Sequence, residues 1–286
     1  MIIEKILKAI WKEFIYGGHL QTLGSVSIVL VSAILLNIKI SWDILFISYF
    51  LFYPLYLYNR YKELKIDYLT NPQRTEYLKT YIDKAPLILT LVIFVLTFGL
   101  VYLANFSSII FVLLVLLLGL LYSVIFKKIT KKIPLFKNLY VATFFAILVF
   151  FPIIYYSYSL TNILRISAVI LAVFIFLKAF MMQILLDLKD VEGDGKIGLL
   201  TFPTIFSEEA TFRVLKTTSV FVTILIPIVA FYFNFFPKSF LMLILTIPFD
   251  FCCFRLAKEK NYLGYILMSG IFLLWPILIL VGKIIL

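Results

Sequence analysis

The chain has 286 residues, 63% of them hydrophobic and 14% charged, against ~45–50% and ~25% in ordinary soluble domains. With a mean hydropathy of +1.08 it carries more apolar surface than a soluble core could bury, which excludes a soluble globular protein and a disordered one. Its long apolar runs exclude a transmembrane barrel, whose strands alternate. The formal charge of +11, from 26 Lys and Arg against 15 Asp and Glu, reads as membrane topology and not as nucleic-acid binding. Cys252 and Cys253 are adjacent in an apolar run, which gives neither a disulfide framework nor metal-ligand spacing, and the single His19 excludes a multi-histidine metal site.

In chain order, the first segment, MIIEKILKAIWKEFIY, is interrupted by charges and is not a signal peptide. Glu4, Lys5, Lys8 and Lys12 fall near one helical face and Ile3, Ile6, Leu7, Ile10 and Trp11 on the other, which predicts an amphipathic helix lying on the membrane surface over residues 1–17. Nine apolar segments follow, near 20–38, 41–58, 86–104, 108–126, 139–158, 162–186, 214–234, 238–254 and 262–283. They predict an all-α integral membrane protein, a single domain over 1–286 with nine transmembrane helices around a central cavity. Most basic residues fall before the first span or in the loops after spans two, four, six and eight, whereas the opposite loops hold only Lys39, Arg165 and Lys238. The positive-inside rule then places the N-terminus and the basic loops in the cytoplasm and the C-terminus outside.

The 15 acidic residues are unevenly spread. Asn59, Glu63 and Asp67 are spaced i, i+4, i+8, each step turning ~40° past a full turn and rising ~6 Å, so they form one polar stripe off the cytoplasmic end of span two. Pro72 disfavours helix at Asn71, which predicts the helix end there, with Arg74 just beyond. Asp187, Asp190 and Asp194, spaced i, i+3, i+7, form a second stripe after span six, and Gly193 and Gly195 predict a loosened helix end. Glu63 and Asp67 recur as Asp190 and Asp194 after 127 residues, as two four-helix pseudo-repeats plus one added helix would require. The two stripes would then face each other across the cavity.

Five carboxylates at one depth repel one another and call for a cation. Carboxylates, an amide and water are hard ligands suited to Mg²⁺, which prefers to share its shell with phosphate oxygens. Arg74, Lys127, Lys128, Lys137 and Lys189 could take further phosphate charge. Behind this mouth lies an interior drawn from 30 Phe and 18 Tyr. An amphiphile with a diphosphate head and an apolar tail fits that layout: Mg²⁺ would stabilise a departing diphosphate and aromatic faces an allylic carbocation.

The stretch YNRYKELKIDYLTNPQR resembles the first aspartate-rich motif of the UbiA-type intramembrane prenyltransferases, and DLKDVEGDGKIGLLTFP resembles their second. LLGLLYSVIFKKITKKIPLFKN is similar to the family's region around the fourth loop, and the likeness spans roughly 20–285 in order. It implies two Mg²⁺ ions bridging the diphosphate, one held by Asn59, Glu63 and Asp67 and the other by Asp187, Asp190 and Asp194, with Asp67, Asp190 and Asp194 essential to catalysis. It implies that Arg74, Tyr122, Lys128, Lys137 and Lys189 grip the diphosphate. The implied reaction moves a prenyl group from a prenyl diphosphate to a lipophilic acceptor within membrane lipid, with no nucleic acid and no obligatory protein partner; a terpene cyclase without an acceptor is the alternative the family also holds. Two departures stand out: Glu63 replaces the usual Asp, and FIYGGHLQTLG lacks the Arg and Pro that accompany benzoate-like acceptors.

His19 and Gln21, in the polar opening of span one, are candidates for an acceptor pocket, with His19 either a proton acceptor or a helix-start packing residue. Lys178, inside span six, either snorkels to the interface or lines the cavity. Asp250 is expected to pair with Arg255. The same acidic clusters could also serve an ion-coupled transporter, although their interfacial depth argues against a midplane transport site.

Overall fold

The computed structural model describes residues 2–122, 126, 129–196 and 198–286, and the side chains of residues 2, 63, 65–67, 69 and 70 also lie outside that description. Among the described residues the chain is helical and has no strand. Helix α1 (Ile2–Tyr16) leads into α2 (His19–Leu35), α3 (Trp42–Thr70), the short α4 (Pro72–Lys79), α5 (Ala85–Leu103) and α6 (Phe106–Leu121). Then come α7 (Phe136–Ile147, continued through Tyr155), α8 (Asn162–Lys196), α9 (Glu208–Tyr232), α10 (Thr246–Lys258, entered through a 3₁₀ segment from Lys238), α11 (Tyr262–Ser269) and α12 (Ile271–Ile285).

Among the described residues, five stretches are long and apolar enough to cross a bilayer: Ile82–Leu103, Phe136–Tyr155, Asn162–Lys196, Glu208–Tyr232 and Lys238–Lys258. The number rises to seven if α1 with α2, bent by 63°, and α11 with α12, bent by 53°, each count as one span. Helix α6, 16 residues long, is the shorter apolar helix. Leu87, Leu91, Phe94 and Phe98 on α5, and Leu113, Leu114 and Leu117 on α6, stay exposed. In water that surface would be untenable; against lipid tails it costs nothing.

Local chemistry explains the breaks. Helix α3 ends at Thr70, and Pro72 opens α4 at its first position, where the missing N–H is one of the unsatisfied donors anyway. Helix α8 does not loosen at Gly193 and Gly195: it continues to Lys196, since a helical glycine costs only ~1 kcal/mol. The stop comes at Gly198, at φ +72. There Leu199 N–H donates to the Asp194 carbonyl at 2.9 Å and Gly198 N–H to that of Gly195 at 3.1 Å, the two bonds of a Schellman closure.

Helix α8 packs on α7, α9 and α11, and α2 sits between α3 and α12. The main core centres on Trp275, fully buried, with Phe174 at 5.2 Å and Phe272 at 4.9 Å between ring centres. A smaller cluster of Tyr53, Leu57, Leu78, Ile82, Ala85 and Val92 fastens α4 and α5 to α3. Within the bundle, Lys178 and Asp250 are both fully buried and paired at 2.5 Å. Lys178 therefore neither snorkels nor lines the cavity, and Asp250 does not pair with Arg255, which binds Glu259 instead. An unpaired charge in this apolar interior would cost more than either alternative contact could return.

Candidate active site

Helices α2, α3, α7, α8 and α11 and the start of α4 surround three cavities that share walls. The first, about 180 Å³, is polar and lined by Tyr16, Gln21, Arg74, Lys137, Gln183, Asp187, Lys189, Asp190 and Tyr262 among others. The second, about 170 Å³, shares Gln21, Lys137, Gln183, Leu186 and Ser269 with it and adds Asn59, Tyr56, Tyr122 and Phe145. The third, about 110 Å³, shares Tyr56, Asn59, Tyr122, Val141 and Phe145 with the second and is otherwise mostly apolar, walled by Ser25, Phe52, Leu55, Gly119, Tyr140 and Phe144. The three cavities thus lie in a row, from charged groups to aromatic ones. The walls of this third cavity come from α2, α3, α6 and α7, with Ser25, Phe52 and Phe145 buried and Leu55, Gly119, Tyr140 and Phe144 half-buried.

The second acidic stripe lies at the polar end. Asp187 is almost fully buried, and its two oxygens accept from Lys137 Nζ and Asn138 Nδ2, each at 2.6 Å. Lys137 also lies 3.9 Å from Asp194, so one ammonium stands between two carboxylates and offsets their repulsion. Asp190 borders the cavity; its Oδ1 is buried and without a hydrogen bond among the described residues, with Lys189 Nζ at 3.7 Å. Lys189 also sits 5.7 Å above the Tyr262 ring. Tyr262 donates to Asn71 Oδ1 at 3.1 Å, which joins α11 to the start of α4, the helix that carries Arg74. Tyr122 stacks on Tyr140 at 5.3 Å, and Tyr140 donates to the Leu118 carbonyl at 2.8 Å.

The structure thus gathers Asn59, Arg74, Tyr122, Lys137, Asp187, Lys189 and Asp190 along this row, with Asp194 buried beside it. The side chains of Glu63 and Asp67, and all of Lys128, lie outside the described residues. Among the described residues no group of three His, Cys, Asp or Glu side chains is gathered closely enough to hold a metal ion.

Gln21 lines both polar cavities, whereas His19 is not among their lining residues. Two residues apart on a helix means about 200° of rotation, and His19 is held elsewhere, by Tyr49 at 2.6 Å and Glu13 at 3.2 Å. Gln183, Tyr262 and Ser269 are wall residues that the sequence reading did not single out. Gln183 had a usable signal, one helical turn before Asp187 on the same face. Tyr262 and Ser269 had none, since their place depends on how α11 docks.

A model of the UbiA prenyltransferase family matches residues 23–262. No curated protein matches the chain by sequence. Among solved structures, the chain resembles the apo structure of a UbiA homologue from Aeropyrum pernix K1, with a TM-score of 0.71 and 16% identity over 92% of this chain and 97% of that one. It also resembles a UbiA homologue from Archaeoglobus fulgidus bound to GPP and Mg²⁺, with a TM-score of 0.64 and 15% identity over 96% and 100%. A third similar structure is of a digeranylgeranylglyceryl phosphate synthase, with a TM-score of 0.57 and 16% identity over 96% of each chain. The match covers most of the chain and both acidic stripes, and the bundle has the fold of these homologues: the chain belongs to the UbiA prenyltransferase family.

Proposed function

We propose that this protein is an Mg²⁺-dependent intramembrane prenyltransferase that moves a prenyl group from a prenyl diphosphate to a lipophilic acceptor. The observation that carries this is the row of adjoining cavities, from one lined by Asp187, Asp190, Arg74 and Lys189 to one walled mainly by aromatic and apolar residues. The homologue bound to GPP and Mg²⁺ supports the same pairing of head group and metal. Nine spans in two pseudo-repeats plus one helix, with the N-terminus cytoplasmic and the C-terminus outside, belong to this proposal, as does the absence of a protein partner.

The donor types present suit the metal, although the described carboxylates are not gathered around one point. The donors are carboxylates and an amide, and Asp190 offers a buried oxygen that has no hydrogen bond among the described residues. Asp187, Asp190 and Asp194 would hold one ion and Asn59, Glu63 and Asp67 the other, and bound Mg²⁺ neutralises charge on the departing diphosphate. Arg74, Lys128 and Lys189 bind its outer oxygens, with Lys137 between Asp187 and Asp194. Tyr56, Tyr122 and Phe145 present ring faces where the allylic cation develops, and the surrounding apolar wall keeps water from quenching it.

Purified protein with Mg²⁺ and C10, C15 or C20 prenyl diphosphate, with and without a lipid extract, tests this through diphosphate release and mass spectrometry of the organic product. Release that requires the extract and gives a heavier prenylated product establishes transfer. Release without it, giving a cyclic hydrocarbon, establishes a cyclase instead, and no release at all removes the enzyme assignment.

A further inference from the structure

Glu13, near the end of α1, lies outside both acidic stripes, yet its carboxylate is the hub of a polar cluster of three side chains. It accepts from Tyr77 at 2.8 Å and Tyr81 at 3.3 Å, and contacts His19 Nε2 at 3.2 Å. His19 Nδ1 lies 2.6 Å from the Tyr49 hydroxyl, and its ring stacks on Tyr53 at 4.7 Å. With Nε2–H donating to Glu13, Nδ1 is the acceptor for Tyr49, so one tautomer satisfies the whole chain. Glu13 thereby joins four elements: α1, α2, α3 through His19, and α4 with the residues after it.

Those elements form the rim of the polar cavity. Ile15 and Tyr16, in the last turn of α1, line it, and so does Arg74 on α4. Tyr16 also donates to Gln73 at 3.3 Å, and its ring lies 5.8 Å from that of Tyr77. The elbow between α1 and α2 is built for a close fit. A Cβ on Gly17 would lie 2.1 Å from the Glu13 carboxylate, and Gly18 holds φ +105 with Arg60 Nη1 at 2.7 Å from where its Cβ would stand. Arg60 donates to the Tyr16 carbonyl and, at 3.2 Å, to Gln21. The apolar face of α1 (Ile3, Ile6, Leu7, Ile10 and Trp11) is exposed, so packing onto the bundle does little to hold this helix and the Glu13 contacts do much.

We propose that Glu13 is a positioning residue: it latches α1 and α4 together over the polar mouth and sets the placement of Arg74 toward a bound diphosphate. The anion-binding role of that mouth rests on the function proposed above, whereas the latch itself rests only on the contacts just described. Glu13→Ala releases three contacts at once, and Tyr77→Phe with Tyr81→Phe releases two of them while leaving the carboxylate and every backbone position in place.

Two measurements test it separately. Spin labels at the exposed positions 12 on α1 and 79 on α4, in a Cys252→Ser, Cys253→Ser background, report the latch without any ligand. A single narrow distance distribution is expected in the parent, and a broad or shifted one in Glu13→Ala and in the double Phe variant. An unchanged distribution in both overturns the latch. Titration calorimetry with inorganic diphosphate and Mg²⁺ then reads the consequence. Glu13→Ala should weaken binding about 10-fold in the parent and less than twofold in an Arg74→Ala background, because it acts through Arg74. Equal weakening in both backgrounds overturns the positioning role. If the parent binds no diphosphate, the proposed function fails while the distance measurement still decides the latch.

Discussion

Replacing Lys178 with Met tests how the buried polar pair contributes to the fold. Lys178 and Asp250 are 2.5 Å apart with both side chains fully buried, and Ser219 donates to the same Asp250 oxygen at 2.5 Å. Thr223 and Thr246 hydroxyls lie 3.3 and 3.5 Å from the ammonium. At an effective dielectric of ~20 the pair attracts by about 7 kcal/mol, but taking two ions out of water costs several kcal/mol each, so the net worth is near zero. Breaking the pair is different: Lys178→Met removes the attraction and leaves the carboxylate desolvated, at ~3–5 kcal/mol. At ~2–4 °C per kcal/mol, the melting temperature in detergent should fall by roughly 10 °C. Lys178→Met combined with Asp250→Leu should recover all of it. The pair is not part of the cavity walls, so the double variant should also keep wild-type diphosphate release. A single variant within 2 °C (roughly 1 kcal/mol) of wild type, or a double variant no better than the single, would refute this account of the pair.

Three further outcomes are expected. Asp190→Asn should lower diphosphate release at least 100-fold with an unchanged melting temperature, and EDTA should stop the wild-type reaction until Mg²⁺ is restored; wild-type rates in the folded variant would remove Asp190 from the metal site. Burial and the neighbouring Glu13 carboxylate push the Tyr77 phenol up to about 12, and Tyr81 is pushed up in the same way. A raised phenol stabilises the folded form fully below its ordinary value near ~10 and loses that contribution as pH climbs through the folded value, so the distance between labels at 12 and 79 should stay narrow to about pH 10 and broaden toward 12. Gly198→Ala should cost ~1 kcal/mol in thermal unfolding, since its site is open and only the positive φ opposes a side chain; no loss would show that another residue closes α8.

Hydropathy located the helices because each apolar run has only the bilayer to satisfy, and that requirement is local to the run. The acidic stripes were visible for a similar reason: spacing along one helix fixes a face without knowledge of any neighbour. What could not be read is which faces meet. Asp250 has Arg255 five residues away and Lys178 seventy-two residues away, and only the docking of α8 against α10 decides between them. Asn138 follows Lys137 in sequence as an ordinary polar residue, and its role as the second donor to Asp187 exists only because α7 lies on α8. Of the two readings of His19, its contacts with Tyr49 and Glu13 suit the packing one, because adjacency to Gln21 in sequence is nearly opposition on a helix.

The row of cavities that changes character from one end to the other has a consequence for how a turnover finishes. Under the proposed function, diphosphate released beside Arg74 and Lys189 would leave toward water, whereas a prenyl tail beside Phe52, Leu55 and Phe144 would leave toward lipid. The two products would then part into different phases, so that reversal would need each to return from its own, and release would follow the membrane's own division between water and lipid.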